Sequence, residues 1–209
     1  MKLYYSVASP YVRKVRILAA ETGLSERLEI VPANTRVADV TLASPQNDLP
    51  SVNPLATIPT LVTDEGEHIY DSIVICAYLD SLHERERMFP PEGPARWRAL
   101  RRDALADGML NAVYLVMVEG RREESFRLPT WIDHQWSKVE RGLDQLESEA
   151  GDFGGGHIID IGLISICCCL GFLDFRFGHK EWRRGRPKLA DWFAAMAQRP
   201  SLIDTAPHD

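Results

Sequence analysis

Three short segments carry residues whose types and spacing could bind the charged groups of a small ligand. In the first, Ser9 precedes Pro10 at the start of a predicted helix. The Ser9 hydroxyl would lie beside unpaired backbone N–H groups, and a hydroxyl at a helix N-terminus can hold a thiolate. The competing interpretation is that Ser9 only caps the helix, with Pro10 in its first turn.

The second segment, residues 53–61, reads Asn-Pro-Leu-Ala-Thr-Ile-Pro-Thr-Leu and places Pro59 directly before a predicted strand. A cis peptide bond between Ile58 and Pro59 fits such a turn. This geometry would turn the backbone N–H and C=O of Ile58 toward a ligand, where they could pair like the edge of a sheet. The alternative is an ordinary proline at the entry to a strand.

In the third segment, Asp71 and Ser72 precede an apolar helix. The Ser72 hydroxyl and the first-turn N–H groups form a carboxylate site, and Asp71 can pair with an ammonium group. The two residues would together bind both charged groups of an α-amino acid. Helix capping alone is the competing interpretation for each of them.

The cysteines and histidines do not show the spacing of a metal site. Cys76 stands alone, three cysteines are consecutive at 167–169, and no C-x-x-C motif occurs. We therefore expect reduced, buried thiols rather than disulfides or a zinc site. The six histidines are scattered, so no metal is expected.

The segments above must be positioned by the elements of the first 82 residues, which alternate strand and helix patterns. We predict strands at 3–5, 28–31, 60–62 and 68–70 and helices at 10–22 and 73–82. Gly23 stands where the first helix should stop. The order predicts one mixed sheet with helices packed on it.

The rest of the chain shows a linker pattern followed by helical patterns. Residues 83–93 are charged and then rich in Pro and Gly, which is typical of a linker. Helical patterns follow at 94–120, 129–150, 158–172 and 187–198, without a convincing strand. The sequence therefore predicts a domain at 1–82, a linker at 83–93 and an all-helical domain at 94–209.

Composition and charge narrow the class of protein. The chain has 209 residues, 45% hydrophobic and 26% charged, with a net charge of −6. This composition is ordinary for a soluble globular protein and disfavours nucleic acid or an anionic membrane as partner. The longest uncharged apolar run, residues 161–173, is shorter than the roughly 20 residues that span a bilayer. No signal-peptide pattern opens the sequence, so we expect a cytoplasmic protein.

Taken together, residues 4–16, 53–61 and 71–79 resemble the glutathione S-transferase family, and specifically its bacterial serine-type members. Residues 101–111 and 160–176 are similar to the domain-linking helix and the core helix of that family, so the resemblance covers nearly the whole chain. It implies an α/β N-terminal thioredoxin-like domain followed by an all-α helical-bundle C-terminal domain, and usually a homodimer.

The resemblance also implies roles for individual residues. Ser9 would donate to the thiolate of glutathione, and Tyr5 is the alternative, as in tyrosine-type members. Ile58 would pair its backbone with the cysteinyl part of glutathione, and Asp71 and Ser72 would hold the γ-glutamyl ammonium and carboxylate. The full set implied to bind glutathione is Thr57, Ile58, Pro59, Asp71 and Ser72.

The second substrate would be a small hydrophobic electrophile held against the helical domain. Candidate residues for its pocket are Tyr11, Asp107, Asn111 and Tyr114. Asp107 and Asn111 continue a spacing of four that begins at Asp103. This helix face either lines the pocket or is simply solvated.

The sequence departs from the family pattern at two places. Ala56 and Thr57 replace a Gly and a Lys, and that Lys would have met the glycyl carboxylate of glutathione. We therefore expect weaker binding unless Arg36 or Lys14 substitutes. Before the core helix a hydroxyl cap is absent, but Asp160 can cap the first-turn N–H groups instead.

These observations predict a glutathione transferase that uses glutathione as co-substrate and no metal. Two alternatives remain open. One is a non-catalytic interaction module, since a fold does not fix a function. The other is a glutathione-dependent peroxidase or reductase that uses the same site.

Overall fold

The computed structural model describes residues 1–33, 48–156 and 159–208. The chain divides into two compact units, one formed by Met1–Phe89 with Pro200–Asp209 and the other by Pro90–Arg199. The sequence predicts residues 200–209 as part of the helical domain, whereas this division groups them with the first unit. Arg36, proposed above as a substitute cation, lies outside the described residues.

The described elements follow the predicted order closely. The strands are β1 (Lys2–Tyr5), β2 (Glu29–Pro32), β3 (Thr60–Val62) and β4 (His68–Ile69). The helices are α1 (Pro10–Thr22), α2 (Leu49–Val52), α3 (Ser72–Asp80), α4 (Gly93–Gly120), α5 (Pro129–Glu149), α6 (Ile161–Phe177), α7 (Pro187–Met196) and α8 (Pro200–Ile203). The short helices α2 and α8 were not predicted, because four residues are too few to show a helical period.

The four strands described in the first unit form one sheet in the order β2-β1-β3-β4. β1 pairs with β2 in parallel, while β3 is antiparallel to both β1 and β4. The mixed sheet predicted from the sequence is therefore confirmed. Its core side chains are completely buried, and they include Leu3, Val15, Leu18, Leu61, Ile75 and Leu79.

Helix α1 ends as the sequence predicts. Gly23 adopts φ = +77°, a left-handed conformation that glycine reaches without a steric penalty. The N–H groups of Gly23 and Leu24 donate to the carbonyls of Ala20 and Ala19, at 3.2 and 2.7 Å. This closure satisfies carbonyls that the helix end would otherwise leave unpaired.

The first part of the predicted linker is folded onto the end of α3 rather than extended. The buried carboxylate of Asp80 accepts from the N–H groups of Met88 and Phe89, at 2.8 and 3.2 Å. It also lies 3.1 Å from Nε2 of His83, and Nδ1 of the same ring accepts from the N–H of Arg85 at 3.0 Å. Residues 83–89 thus belong structurally to the first unit.

The regular secondary structure described in the second unit is helical, and α6 lies at its centre. Nearly all of α6 is buried, including Cys167, Cys168 and Cys169, which form no disulfide among the described residues. At Gly162 an added Cβ would clash with the carbonyl oxygen of Ala99, so α4 and α6 approach closely at this point. The Asp160 carboxylate accepts from the Leu163 N–H at 2.9 Å, which confirms the predicted cap.

The stretch Ile161–Lys180, which is α6 with the turn after it, is long and apolar enough by composition to cross a membrane. The 13-residue run in the sequence was expected to be too short, but the helix continues beyond it. Because 78% of the apolar window is buried within the protein, the stretch has the character of a core helix.

Candidate functional site

Strand register brings the three candidate segments to one edge of the sheet. Tyr4 lies opposite Thr60, so the end of β1 adjoins the start of β3. Leu61 lies opposite Ile69, so the end of β4 also adjoins the start of β3. The residues that follow β1, precede β3 and follow β4 therefore meet at this edge, which also carries the N-termini of α1 and α3.

Ser9 is the N-cap of α1 and is half-buried. Its Oγ accepts from the N–H of Val12 at 3.3 Å, which is the capping role considered from the sequence. Accepting this bond leaves the hydroxyl proton available to donate elsewhere. The observed cap is therefore compatible with both interpretations of Ser9.

Tyr5 is the last residue of β1 and is half-buried. The guanidinium of Arg16, in the second turn of α1, lies over its ring at 5.4 Å from the centroid, within cation–π range. Tyr5 thus ends β1 and Ser9 caps α1 four residues later, in agreement with the strand and helix predicted there.

The neighbouring Tyr4 was not recognised from the sequence. It is 4% exposed, and its hydroxyl donates to Oδ2 of Asp48 at 2.8 Å. Burial disfavours the phenolate, and the neutral hydroxyl also bonds to the Asp48 carboxylate, which together raise the pKa of Tyr4 to about 12. Tyr4 therefore anchors the segment that leads to the Ile58 loop.

The loop between α2 and β3 contains two unusual backbone features. The Ile58–Pro59 bond is cis, as the sequence analysis expected. Ala56 has φ = +50°, in the left-handed region, at the position where the family pattern has Gly. Within the described residues, neither the N–H nor the C=O of Ile58 is paired with another group.

Asn53 organises this loop from inside and is completely buried. Its Nδ2 donates to the Thr57 carbonyl at 3.2 Å and to Oγ1 of Thr60 at 2.9 Å, and its Oδ1 accepts from the Leu55 N–H at 2.9 Å. The Asn-Pro pair indicated a turn in the sequence, because Asn side chains often bond to backbone two residues on. No pattern in the sequence indicated the bonds from Asn53 to Thr57 and Thr60.

Asp71 and Ser72 occupy the start of α3. Asp71 is the N-cap and is exposed, and its Oδ1 accepts from the Ile73 N–H at 3.2 Å. Ser72 is the first helical residue and is 3% exposed. An exposed carboxylate thus lies beside first-turn N–H groups, the combination expected for binding an ammonium and a carboxylate.

The cation that the family pattern has at position 57, and that this sequence lacks, is not supplied by Lys14. Lys14 is completely buried in α1, so its ammonium group is not presented to solvent. Thr57 is exposed and offers one hydroxyl, whose oxygen accepts from Nδ2 of Asn53 at 3.2 Å.

The candidates for the electrophile pocket are distributed over both units. Tyr11, in α1, is half-buried. On α4, Nδ2 of Asn111 donates to the Asp107 carboxylate at 3.2 Å, and Tyr114 is 45% exposed. Asp103, which begins the same spacing, is buried and accepts from the Ser165 hydroxyl at 2.6 Å, so it braces α4 against α6.

Within the ranges 1–33, 48–156 and 159–208, no group of three or more His, Cys, Asp or Glu side chains is arranged to hold a metal ion.

Comparisons with known proteins agree with this architecture. Residues 8–82 match the model "Glutathione S-transferase, N-terminal domain" and residues 129–195 match its C-terminal counterpart. The uncharacterized GST-like protein YibF of Escherichia coli K12 is 31% identical over 99% of this chain and 98% of its own length.

Solved structures extend the similarity. A glutathione transferase family member from Pseudomonas fluorescens Pf-5, with bound glutathione, is 40% identical at a TM-score of 0.92, covering 100% of this chain and 99% of that one. A glutathione S-transferase from Methylobacillus flagellatus KT, with glutathione bound, is 36% identical at a TM-score of 0.89, covering 99% of each chain. With both domain models matched and relatives aligned from end to end, this chain belongs to the glutathione S-transferase family.

Proposed function

We propose that the protein binds glutathione at the β1-β3-β4 edge of its first unit, stabilises the thiolate and transfers it to a small hydrophobic electrophile. The observation that carries the proposal is the register, which gathers Ser9, Ile58 and the Asp71–Ser72 pair at one edge with two helix N-termini. Solved relatives at 36–40% identity with bound glutathione support it.

Each part of glutathione has a matching group. The exposed Asp71 carboxylate pairs with the γ-glutamyl ammonium, and Ser72 with the first-turn N–H groups of α3 binds the γ-glutamyl carboxylate. The unpaired backbone of Ile58 binds the cysteinyl peptide groups, as an added strand would. Among the described residues, we assign the Thr57 hydroxyl to the glycyl carboxylate, and one hydroxyl binds a carboxylate more weakly than a Lys ammonium group would.

The chemical task is to keep the bound thiol ionised. A free thiol has a pKa of about 8.5, and lowering it by about 2 units requires about 2.7 kcal/mol of thiolate stabilisation. One charge-assisted hydrogen bond contributes about 1.5–3 kcal/mol, and a helix N-terminus up to about 1–2 kcal/mol. Ser9 remains neutral and donates to the sulfur. The thiolate then attacks the electrophilic carbon, a C–S bond forms, and the leaving group departs with the bonding electrons.

Calorimetric titration of glutathione into the parent protein and into Ser72→Ala tests the binding step. We expect micromolar to low-millimolar binding to the parent and a strong loss in Ser72→Ala. Absence of binding up to tens of millimolar, where about 4 kcal/mol of affinity would be visible, contradicts the proposal and favours the non-catalytic interaction module.

The thiolate absorbance of bound glutathione tests the activation step. Ser9→Ala should raise the pKa of the bound thiol, whereas Tyr5→Phe should not. The reverse result assigns activation to Tyr5.

Turnover separates transfer from reduction. An aryl halide tests conjugation, and an organic hydroperoxide or a mixed disulfide tests reduction. Turnover of only the latter substrates replaces the transferase with a peroxidase or reductase. The homodimer implied by the resemblance and the cytoplasmic location expected from the sequence belong to the same proposal, and light scattering of the purified protein checks the dimer.

A further inference from the structure

The unpaired backbone of Ile58 needs something to hold it in position, and the loop around it is fixed by one side chain. Asn53 bonds through Nδ2 to the Thr57 carbonyl and to Oγ1 of Thr60, the residues that flank Ile58 and Pro59. Oγ1 of Thr60 in turn donates to the Thr57 carbonyl at 2.8 Å. The two residues on either side of the Ile58–Pro59 pair are therefore tied together.

The anchorage of Asn53 is itself rigid. The side chain is fully buried and uses both its amide oxygen and its amide nitrogen. Thr60 is also fully buried and pairs with Tyr4 in the sheet, so the network connects the loop to β1. A buried polar network in which every member is satisfied fixes a single conformation.

We infer that Asn53 is a positioning residue for ligand binding: by tying Thr57 to Thr60, it holds the Ile58 peptide groups in place to pair with the cysteinyl part of glutathione. This inference rests on the proposed function, because it needs glutathione at Ile58. Asn53 does not touch the ligand itself and acts through the backbone of its neighbours.

The test combines a protein change with a ligand change that acts on the same contact. The ligand is glutathione methylated at the cysteinyl nitrogen. Methylation removes the N–H that would donate a hydrogen bond to the Ile58 carbonyl. We expect this analogue to bind the parent about tenfold more weakly than glutathione, and Asn53→Ala to bind glutathione about fivefold to tenfold more weakly than the parent.

The two losses should not multiply. In Asn53→Ala the analogue should bind within about twofold of glutathione, because the contact removed by methylation is already lost. In Ser72→Ala, which acts on the γ-glutamyl end, methylation should still cost about tenfold. A full tenfold methylation penalty in Asn53→Ala overturns the inference and leaves Asn53 as a residue that only stabilises the fold.

Thr22→Ala is the matched stability control. Thr22 is buried in the same unit, and its hydroxyl bonds to the Leu18 carbonyl at 2.8 Å, at the far end of α1. This variant should lose comparable stability but bind both ligands as the parent does. If its affinity falls as much as that of Asn53→Ala, general destabilisation explains the loss and the inference fails.

Thr60→Val provides a second variant in case Asn53→Ala does not fold. It preserves shape and removes only the hydroxyl that accepts from Asn53 and donates to the Thr57 carbonyl. It should weaken glutathione binding about threefold and reduce the methylation penalty by a similar factor; an unchanged penalty contradicts the inference. A parent protein that does not bind glutathione overturns the proposed function, whereas binding with independent losses overturns only the role of Asn53.

Discussion

Tyr4 contributes to the candidate site without being part of the chemistry. Its backbone pairs with Thr60, and its hydroxyl donates to Asp48, so it contacts both ends of the segment that contains the Ile58 loop. The sequence shows Tyr4 as one more aromatic strand residue. Its side-chain partner lies 44 positions away, and no local pattern reveals a contact of that kind.

The raised pKa of Tyr4 makes the stability of the first unit sensitive to alkaline pH. The native state favours the neutral phenol up to about pH 12, whereas the unfolded chain ionises near 10. The stabilisation is therefore complete below pH 10 and is lost as pH rises toward 12. Tyr4→Phe should cost about 1 kcal/mol at neutral pH and should lose stability less steeply between pH 10 and 12. Denaturant unfolding across this range measures both; equal slopes for parent and variant contradict the prediction.

Ala56 is a residue whose replacement should improve stability. An L-residue in the left-handed region, here at φ = +50°, is strained by about 1–2 kcal/mol, and Gly avoids this strain. Against this, Gly loses about 0.5–1 kcal/mol more conformational entropy than Ala when the chain folds. Ala56→Gly should therefore stabilise the protein by about 0.5 kcal/mol in denaturant unfolding. Ala104→Gly, on the exposed face of α4, should instead destabilise by about 1 kcal/mol. The idea fails if both variants shift stability in the same direction.

Among the elements, α6 depends on an unusual start. The Asp160 carboxylate replaces the hydroxyl cap of the family pattern and accepts from the Leu163 N–H. Asp160→Ala should destabilise the protein by about 1 kcal/mol, while Asp160→Ser should restore most of that loss because Ser caps equally well. Thermal unfolding of the three proteins checks this. A Ser variant no better than the Ala variant would show that capping is not what Asp160 contributes.

The pair of helices α4 and α5 is connected by an acid-sensitive contact. Arg101 donates to Glu149 at 2.7 Å, and this bond, with those from Gln145 and Arg102, lowers the pKa of Glu149 to about 2. The ordinary pKa of this carboxyl group is 4.5, so the contact stabilises the native state fully at pH values above 4.5. That stabilisation is lost as the pH falls toward 2.

Glu149→Gln should therefore cost about 1 kcal/mol at pH 7, limited by solvent screening of the half-exposed Arg101. The gap between parent and variant should close between pH 4.5 and 2, as followed by denaturant unfolding at each pH. Glu123→Gln, at an exposed carboxylate, should change little. A gap that is constant with pH would refute the role of Glu149.

How far the sequence could predict these features depends on the range of the interaction. The Ser9 cap, the Gly23 stop and the Asp160 cap are bonds between residues a few positions apart, and each was predictable from residue type and position. The cross-links of Asn53 and the contact between Tyr4 and Asp48 require the folded loop. The roles of the three candidate segments came from their combined resemblance to a family, since each alone also reads as a helix cap or a turn.

At the scale of the whole molecule, the last residues of the chain contact the first helix, α1. Arg13 of α1 donates through Nη2 to the Leu202 carbonyl at 3.0 Å, and Ser201 hydrogen-bonds to Glu21. The hydroxyl oxygen of Thr205 also accepts from Nε of Arg13 at 3.5 Å. Sequence patterning assigned these residues to the helical domain only because they follow it.

Truncation after Arg199 should therefore weaken α1 rather than α6. Hydrogen exchange followed by mass spectrometry should show faster exchange in residues 10–22 and little change in residues 161–177, because local protection follows local contacts. Truncation after Ala206 retains Leu202 and Thr205 and should leave both helices as in the parent. Faster exchange confined to α6 would contradict this grouping of the chain.

The grouping of Pro200–Asp209 with Met1–Phe89 also determines how the gene can be divided. The helical unit is, in topological terms, an insertion, because the chain leaves the first unit at residue 89 and returns to it at residue 200. A single cut at the boundary yields an N-terminal fragment without its last helix and a C-terminal fragment that carries that helix as a docking tail. A fragment that contains the whole first unit is therefore a fusion of residues 1–89 to residues 200–209.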